Sequence, residues 1–108
     1  MGHAVERHSG YTVSHGEAVA IGLATMARAG AALGWCEPIA AERINTALKR
    51  RGLPLCYRCK PEELLPYLWA DKKRQGEELT VVLPHRIGYC SLRRMTRTQL
   101  LRLLREGL

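Results

Sequence analysis

Residues 14–34 constrain the fold of this chain more than any other part of its sequence. Ser14 and Glu17 match a capping box, in which the serine hydroxyl accepts from the backbone N–H three residues on and the glutamate reaches back. Beyond them the apolar residues surround the helix axis instead of forming one stripe, and Gly34 ends the run. A helix that is apolar all round is usually buried, so we expect the rest of the chain to surround it.

Shorter segments on both sides of this helix predict the remaining elements. Capping and helix-breaking residues predict four further helices. They span residues 2–8, begin at Pro38 and stop at Gly52 and Pro54, run from Pro61 to about Lys73, and begin after Thr96. Residues 79–83 and 87–92 predict a small hairpin, with Pro84-His85-Arg86 between its strands. We therefore predict a mainly α fold, with residues 1–108 as a single helical domain that carries one short β-hairpin.

Charge and cysteine content narrow the class of protein. The chain has 17 Lys and Arg against 10 Asp and Glu, a net charge of +7, which would favour phosphates, acidic sugars or nucleic acid as partners. A solvated helix face explains the same basic residues.

Four cysteines without a secretory signal do not form a disulfide framework, and the apolar run over residues 18–33 is too short for a membrane span. We expect a reduced, cytoplasmic protein that does not enter a membrane.

Two histidines near the start of the chain are candidates for metal or acid–base chemistry. His15 follows the helix cap, where the positive end of the helix dipole disfavours imidazolium, so we expect the neutral ring that binds metals. His3 lies twelve residues earlier. Glu17 could support the His15 ring, although the capping box already gives it a role. From these residues alone, the simpler interpretation is that His15 is only a polar residue in a turn.

Two other groups have ordinary explanations from their spacing. Lys72 and Lys73 end a predicted helix, where lysines suit the dipole, although such a pair can also hold a phosphate or carboxylate. Cys56 and Cys59 form a lone CxxC, a weak zinc or redox pattern because a structural zinc needs four ligands. We interpret these cysteines as ordinary half-buried thiols.

The order and spacing of several segments resemble the 3-dehydroquinate synthase family. The most specific are Gly-His-Ala-Val-Glu at residues 2–6 and His-Gly-Glu-Ala-Val-Ala-Ile-Gly at residues 15–22. Ser-Gly-Tyr lies between them at 9–11, and Gly-Leu-Pro at 52–54, Asp-Lys-Lys at 71–73 and Ile-Gly at 87–88 follow in order. The resemblance runs through almost the whole chain and implies the helical C-terminal domain of the dehydroquinate synthase-like fold.

The resemblance also implies an activity and a role for particular residues. The family is a group of lyases that convert 3-deoxy-arabino-heptulosonate 7-phosphate to 3-dehydroquinate and phosphate in the shikimate pathway of aromatic amino acid biosynthesis, using NAD and a divalent metal, usually zinc. By position, His3 resembles the catalytic histidine that contacts the substrate and handles protons near the leaving phosphate. His15 resembles a metal ligand, and Lys72 or Lys73 resembles the substrate-binding lysine. No residue of this chain is implied to bind NAD.

The family's other metal ligands and its NAD-binding domain lie upstream of the matching segments. We therefore expect a truncated, isolated C-terminal part that has no synthase activity by itself and binds neither zinc nor NAD well. Its expected partners are the sugar-phosphate substrate, the missing N-terminal domain and further copies of itself in a homo-oligomer. Three alternatives stay open: a related sugar-phosphate cyclase, a small basic helical module that binds nucleic acid, and a structural or regulatory fragment that pairs with a separately encoded N-terminal half. For the nucleic-acid module the sequence offers no helix-turn-helix pattern or set of stacking aromatics.

Overall fold

The structure, a computed structural model, describes residues 1–69, 74–75 and 78–108. Its helices are α1 (Gly2–His8), α2 (His15–Ala32), α3 (Pro38–Arg50), α4 (Pro61–Trp69) and α5 (Arg97–Gly107). Its strands are β1 (Arg74–Gln75), β2 (Glu78–Arg86) and β3 (Tyr89–Thr96), which form one antiparallel sheet in that order. The prediction of a mainly α fold with a short hairpin is confirmed, and β1 adds a two-residue strand to that hairpin.

The helix α2 lies at the centre of the molecule, as its sequence predicts. The hydroxyl of Ser14 accepts from the backbone N–H of Glu17, and the Glu17 carboxylate accepts from the N–H of Ser14, so the capping box is complete. At the other end, Gly34 takes a left-handed φ of 80°, which ends the helix. Between these ends α2 packs against α1, α3, α5 and β2.

Small residues on α2 let the neighbouring elements approach closely. A Cβ added at Gly22 would lie 3.2 Å from the Cβ of Met1, so α1 begins almost against the α2 backbone. The remaining core is built from larger side chains of the surrounding elements. Those with almost no exposure include Val5, Leu64, Leu83, Met95, Leu100, Leu103 and Leu104.

The hairpin turn lies three residues further along the chain than predicted. The strand β2 continues through Pro84, His85 and Arg86, and the turn is made by Ile87 and Gly88. The sequence prediction is wrong here because Pro84 does not end the strand: it pairs with Cys90 next to a register irregularity, a position at which a strand tolerates proline. Gly88, with a φ of 86°, adopts the left-handed backbone of the turn, a conformation that glycine takes without steric cost.

The helix that was predicted to reach about Lys73 is described as far as Trp69, and residues 70–73 lie outside the described part of the chain. In the described residues, no helix combines the length and the apolar character needed to cross a membrane.

Candidate metal and substrate site

The helices α1 and α2 form an antiparallel pair that carries both candidate histidines. A Cβ on Gly2 would lie 3.4 Å from the backbone of Ala18, whereas Glu6, further along α1, contacts His15 at the start of α2. Later residues of α1 therefore contact earlier residues of α2, as expected for an antiparallel pair. As a result, the face of α1 that carries Glu6 lies against the first turn of α2.

The loop over residues 9–14 fixes where α2 begins. The Ser9 hydroxyl donates to the carbonyl of Glu6 at 2.9 Å and accepts from the N–H of Val13 at 3.3 Å. The N–H of Tyr11 donates to the same Glu6 carbonyl at 2.8 Å. Both Gly10 and Tyr11 have a φ of 64°, which is rare for a tyrosine and persists only where surrounding bonds hold the backbone. The loop therefore places His15 at one defined position beside α1.

His15 and Glu6 form the central contact of this site. Nδ1 of His15 is bonded to the Glu6 carboxylate, and no other described residue bonds to the ring. The Glu6 side chain is only 12% exposed, whereas the His15 side chain is 73% exposed. A largely buried carboxylate thus holds one nitrogen of an exposed imidazole whose other nitrogen, Nε2, has no bond to a described residue.

His3 lies on the same side of α1 as Glu6. The two residues are three positions apart, so they are neighbours on the helix surface, separated by about 4.5 Å along its axis. The His3 side chain is exposed. The two histidines predicted as site residues are therefore brought to adjoining helices of one hairpin. This arrangement agrees with a shared site.

The donor set fits one position of a metal site. An exposed imidazole with a free Nε2 is a suitable ligand for a divalent metal, but a zinc site needs three or four ligands that converge. Among the described residues there is no group of three or more His, Cys, Asp or Glu that could hold an ion. Lys72 and Lys73, predicted to bind substrate, lie outside the described residues, and their roles stay predictions.

The partner of His15 is Glu6, and the suggestion that Glu17 supports the ring is wrong. Glu17 caps α2, and hydrogen bonds with Ser14 lower the pKa of its carboxyl. Glu6 belongs to the quoted Gly-His-Ala-Val-Glu segment, but its role was missed because the contact crosses between two helices. The three-residue spacing between His3 and Glu6 was the available signal, since it places both on one helix face.

The CxxC segment has a structural role in the described contacts. Cys56 is exposed, Cys59 is half-buried, and burial raises the pKa of the Cys59 thiol. Between them, the hydroxyl of Tyr57 lies 2.7 Å from Nδ1 of His8, whose Nε2 lies 3.3 Å from a carboxylate oxygen of Glu63. His8 at the end of α1 therefore joins this segment to α4.

An apolar groove of about 360 Å³ begins beside His3, where Met1 and Gly2 form part of its wall. Val19 and Leu23 of α2 and Val82 of β2 also line it, and these three side chains are 50%, 42% and 56% exposed. Apolar residues this exposed are candidates for contact with another protein surface.

Comparison with known proteins defines first the fold and then the family. A structure of 2-deoxy-scyllo-inosose synthase complexed with carbaglucose-6-phosphate, NAD+ and Co2+ superimposes on 99% of this chain with a TM-score of 0.76 and 24% identity. A second structure of 2-deoxy-scyllo-inosose synthase matches 99% of the chain with a TM-score of 0.74 and 23% identity. This chain covers only 33% and 30% of those chains. The family model for the 3-dehydroquinate synthase C-terminal domain matches residues 1–74, so the chain belongs to that family.

Proposed function

We propose that this chain is the metal- and substrate-binding part of a 3-dehydroquinate synthase, which converts 3-deoxy-arabino-heptulosonate 7-phosphate to 3-dehydroquinate and phosphate. The observation that supports this proposal is the α1–α2 hairpin, which lies within the family match and carries His3 on one helix and His15 on the other. His3 contacts the substrate and handles protons near the leaving phosphate. His15 supplies one imidazole to a divalent metal, and Lys72 or Lys73 holds a negative group of the substrate.

The rest of the site comes from outside these 108 residues. The chain spans about a third of the length of its structural relatives, and the described residues supply a single well-placed imidazole. We propose that a nucleotide-binding domain supplies NAD and the remaining metal ligands, and that the purified 108-residue chain has no turnover alone. Its apolar groove beside His3 is available for contact with that domain.

A related sugar-phosphate cyclase is the second candidate. It is favoured by the structural similarity to 2-deoxy-scyllo-inosose synthase, one structure of which contains carbaglucose-6-phosphate. The two candidates differ in substrate: a heptulosonate 7-phosphate for the first and a hexose 6-phosphate for the second. The family match favours the first, because it is made by the sequence of residues 1–74 and not by the fold alone.

A chimeric enzyme tests both candidates. Residues 1–108 replace the corresponding C-terminal part of an active 3-dehydroquinate synthase, and phosphate release is measured with NAD, Co2+ or Zn2+, and each substrate in turn. We expect turnover of the heptulosonate phosphate and none of the hexose phosphate. Turnover of the hexose phosphate alone would establish the second candidate. A folded chimera that binds NAD but acts on neither substrate would contradict both.

Variants of the chimera test the assigned residues. His3→Ala should lower kcat by about 10²- to 10⁴-fold, because it removes a proton-transfer group. His15→Ala should instead weaken metal binding, which is measured by equilibrium dialysis with Co2+. Glu42→Ala, at an exposed position of α3, is the matched control and should change neither quantity.

A further inference from the structure

We propose that Glu6 is a positioning residue for His15: its carboxylate holds the Nδ1–H of the ring and thereby presents Nε2 to a divalent metal. This inference rests on the proposed function, because it assigns His15 to the metal. Glu6 contacts neither substrate nor metal in this proposal. It acts through the imidazole.

The chemistry of the contact selects one tautomer of His15. An ionised carboxylate can only accept hydrogen bonds, so the nitrogen bonded to Glu6 must carry the proton. In the neutral ring the lone pair then lies on Nε2, which bonds to no other described residue. Metal-binding histidines commonly donate their second ring N–H to a carboxylate in this way, which fixes both the tautomer and the orientation of the ring.

Burial makes Glu6 the fixed member of the pair. Its side chain is 12% exposed, and it follows Ala4 and Val5, which are buried in the core. The Glu6 carbonyl also accepts from the Ser9 hydroxyl and the Tyr11 N–H, so the backbone at this residue is held from two directions. His15, in contrast, is 73% exposed. Without the carboxylate, an exposed ring at a helix start is free to rotate about its side-chain bonds.

His15 differs from His8 and His85, each of which has described partners for both ring nitrogens. His8 has partners on both nitrogens, the Tyr57 hydroxyl and the Glu63 carboxylate. His85 also has two, because its Nδ1 lies 2.7 Å from the carbonyl of Trp35 and its Nε2 is bonded to the Ser91 hydroxyl. Both rings are therefore used for packing between elements. His15 is fixed through one nitrogen and keeps the other available.

The simplest alternative is an ordinary ion pair between α1 and α2. Such a pair near the surface contributes little to stability. Its energy depends on the two charges more than on the length of the side chains. Two conservative variants separate the possibilities. Glu6→Gln keeps the length of the side chain and an accepting oxygen but removes the charge. Glu6→Asp keeps the charge but shortens the side chain by one methylene, so that it cannot reach Nδ1 in the same geometry.

The test uses the ¹⁵N-labelled 108-residue chain and needs neither substrate nor NAD. Long-range ¹H–¹⁵N spectra at about pH 8, where histidines are largely neutral, report which ring nitrogen is protonated. We expect the Nδ1–H tautomer for His15 in the parent chain and in Glu6→Gln, and a mixture of tautomers in Glu6→Asp and Glu6→Ala. The signals of His8 provide an internal control, and Glu42→Ala provides a control for removal of a carboxylate.

A titration with Co2+ alone provides the second measurement. Paramagnetic broadening of the His15 ring signals should require about tenfold more Co2+ in Glu6→Asp than in the parent chain, with Glu6→Gln between them. An Nε2–H tautomer in the parent chain would overturn the proposal, as would equal Co2+ dependence in all variants. Amide spectra identify any variant that fails to fold. In that case the tautomer of His15 in the parent chain and in Glu6→Gln still tests the proposal. An inactive chimera with these NMR results intact would refute the proposed function but not the positioning role.

Discussion

Arg28 interrupts the apolar surface of α2, and its guanidinium joins three parts of the chain. Nε and Nη2 donate to the carbonyl of Gly107 at 3.0 and 2.8 Å, and Nη1 donates to the carbonyl of Leu55 at 2.7 Å. The end of α5 and the segment before α4 are therefore tied to the central helix. A cation is tolerated here because backbone carbonyls satisfy its fixed fork of donors.

Replacing Arg28 by methionine should therefore destabilise the fold. Arg28→Met keeps a flexible apolar side chain but leaves the two carbonyls without their donor, so we expect the free energy of unfolding to fall by about 1–3 kcal/mol. Urea unfolding followed by circular dichroism measures the change. Arg43→Met, at an exposed position of α3, is the control and should have an effect near zero. Equal losses in the two variants would contradict the role given to Arg28.

Glu17 links the helix cap to acid stability. Hydrogen bonds with Ser14 lower the pKa of its carboxyl below the ordinary value of 4.5. A carboxyl with a depressed folded-state pKa contributes stability above the unfolded-state pKa and loses it as the pH falls through the folded-state value. In Glu17→Gln the amide can still cap the helix, but the acid-dependent contribution is absent. Unfolding midpoints measured from pH 6 down to about pH 3 should therefore fall less steeply below 4.5 in Glu17→Gln than in the parent chain. A matching decline in Glu42→Gln would assign the effect to general loss of charge.

At the scale of elements, local signals predict where helices begin but not how the helices meet. Ser14 and Thr96 were predicted as caps, and both form complete capping boxes, because each box involves residues only three positions apart. The family motifs also named His3 and His15 as candidate site residues, and their roles stay predictions. The contact of His15 with Glu6 could not be predicted, because it depends on the angle between two helices. That angle is fixed by a loop in which Tyr11 adopts a left-handed backbone, a conformation no local rule assigns to tyrosine.

The crossing of α2 and α5 depends on the absence of a side chain at Gly107. A Cβ added there would lie 2.6 Å from the carbonyl oxygen of Thr25 and 2.8 Å from its methyl group, so one of the two helices would have to shift. We expect Gly107→Ala to lower the free energy of unfolding by about 1–3 kcal/mol, as overpacking does, despite the higher helix propensity of alanine.

Gly16 provides the matched control for this substitution. It also lies in a helix, but a Cβ added there meets nothing within 4 Å. Gly16→Ala should therefore be neutral or stabilise the chain by up to about 1 kcal/mol. Thermal unfolding should show a lower melting temperature for Gly107→Ala and an unchanged or higher one for Gly16→Ala. If both substitutions raise the melting temperature, then α5 does not pack against α2 as closely as the structure shows.

At the scale of the whole molecule, the principal feature is apolar surface that the described residues leave uncovered. The described core has a main cluster, in which Ile21 of α2 packs among buried residues of the other elements, and a smaller cluster where α2 meets α3. The face of α2 bearing Val19 and Leu23 nevertheless stays open beside β2. The chain spans about a third of the length of its structural relatives. Under the proposed function, this face is the proposed contact surface for a nucleotide-binding domain. The same surface is exposed in the 108-residue chain when it is studied alone.

We therefore expect the purified chain to associate with itself through this groove, because exposed apolar surface of this kind drives contact between proteins. Leu23→Ser should weaken the association by about tenfold or more, since a buried leucine contributes about 1.5–3 kcal/mol. Ile39→Ser removes a side chain that is 59% exposed on α3 and does not line the groove, so it should leave the association unchanged. Sedimentation velocity over a range of protein concentrations measures the dimer fraction of each variant. A parent chain that stays monomeric at the highest concentration would show that the groove does not drive association, and equal effects of the two substitutions would place the contact elsewhere.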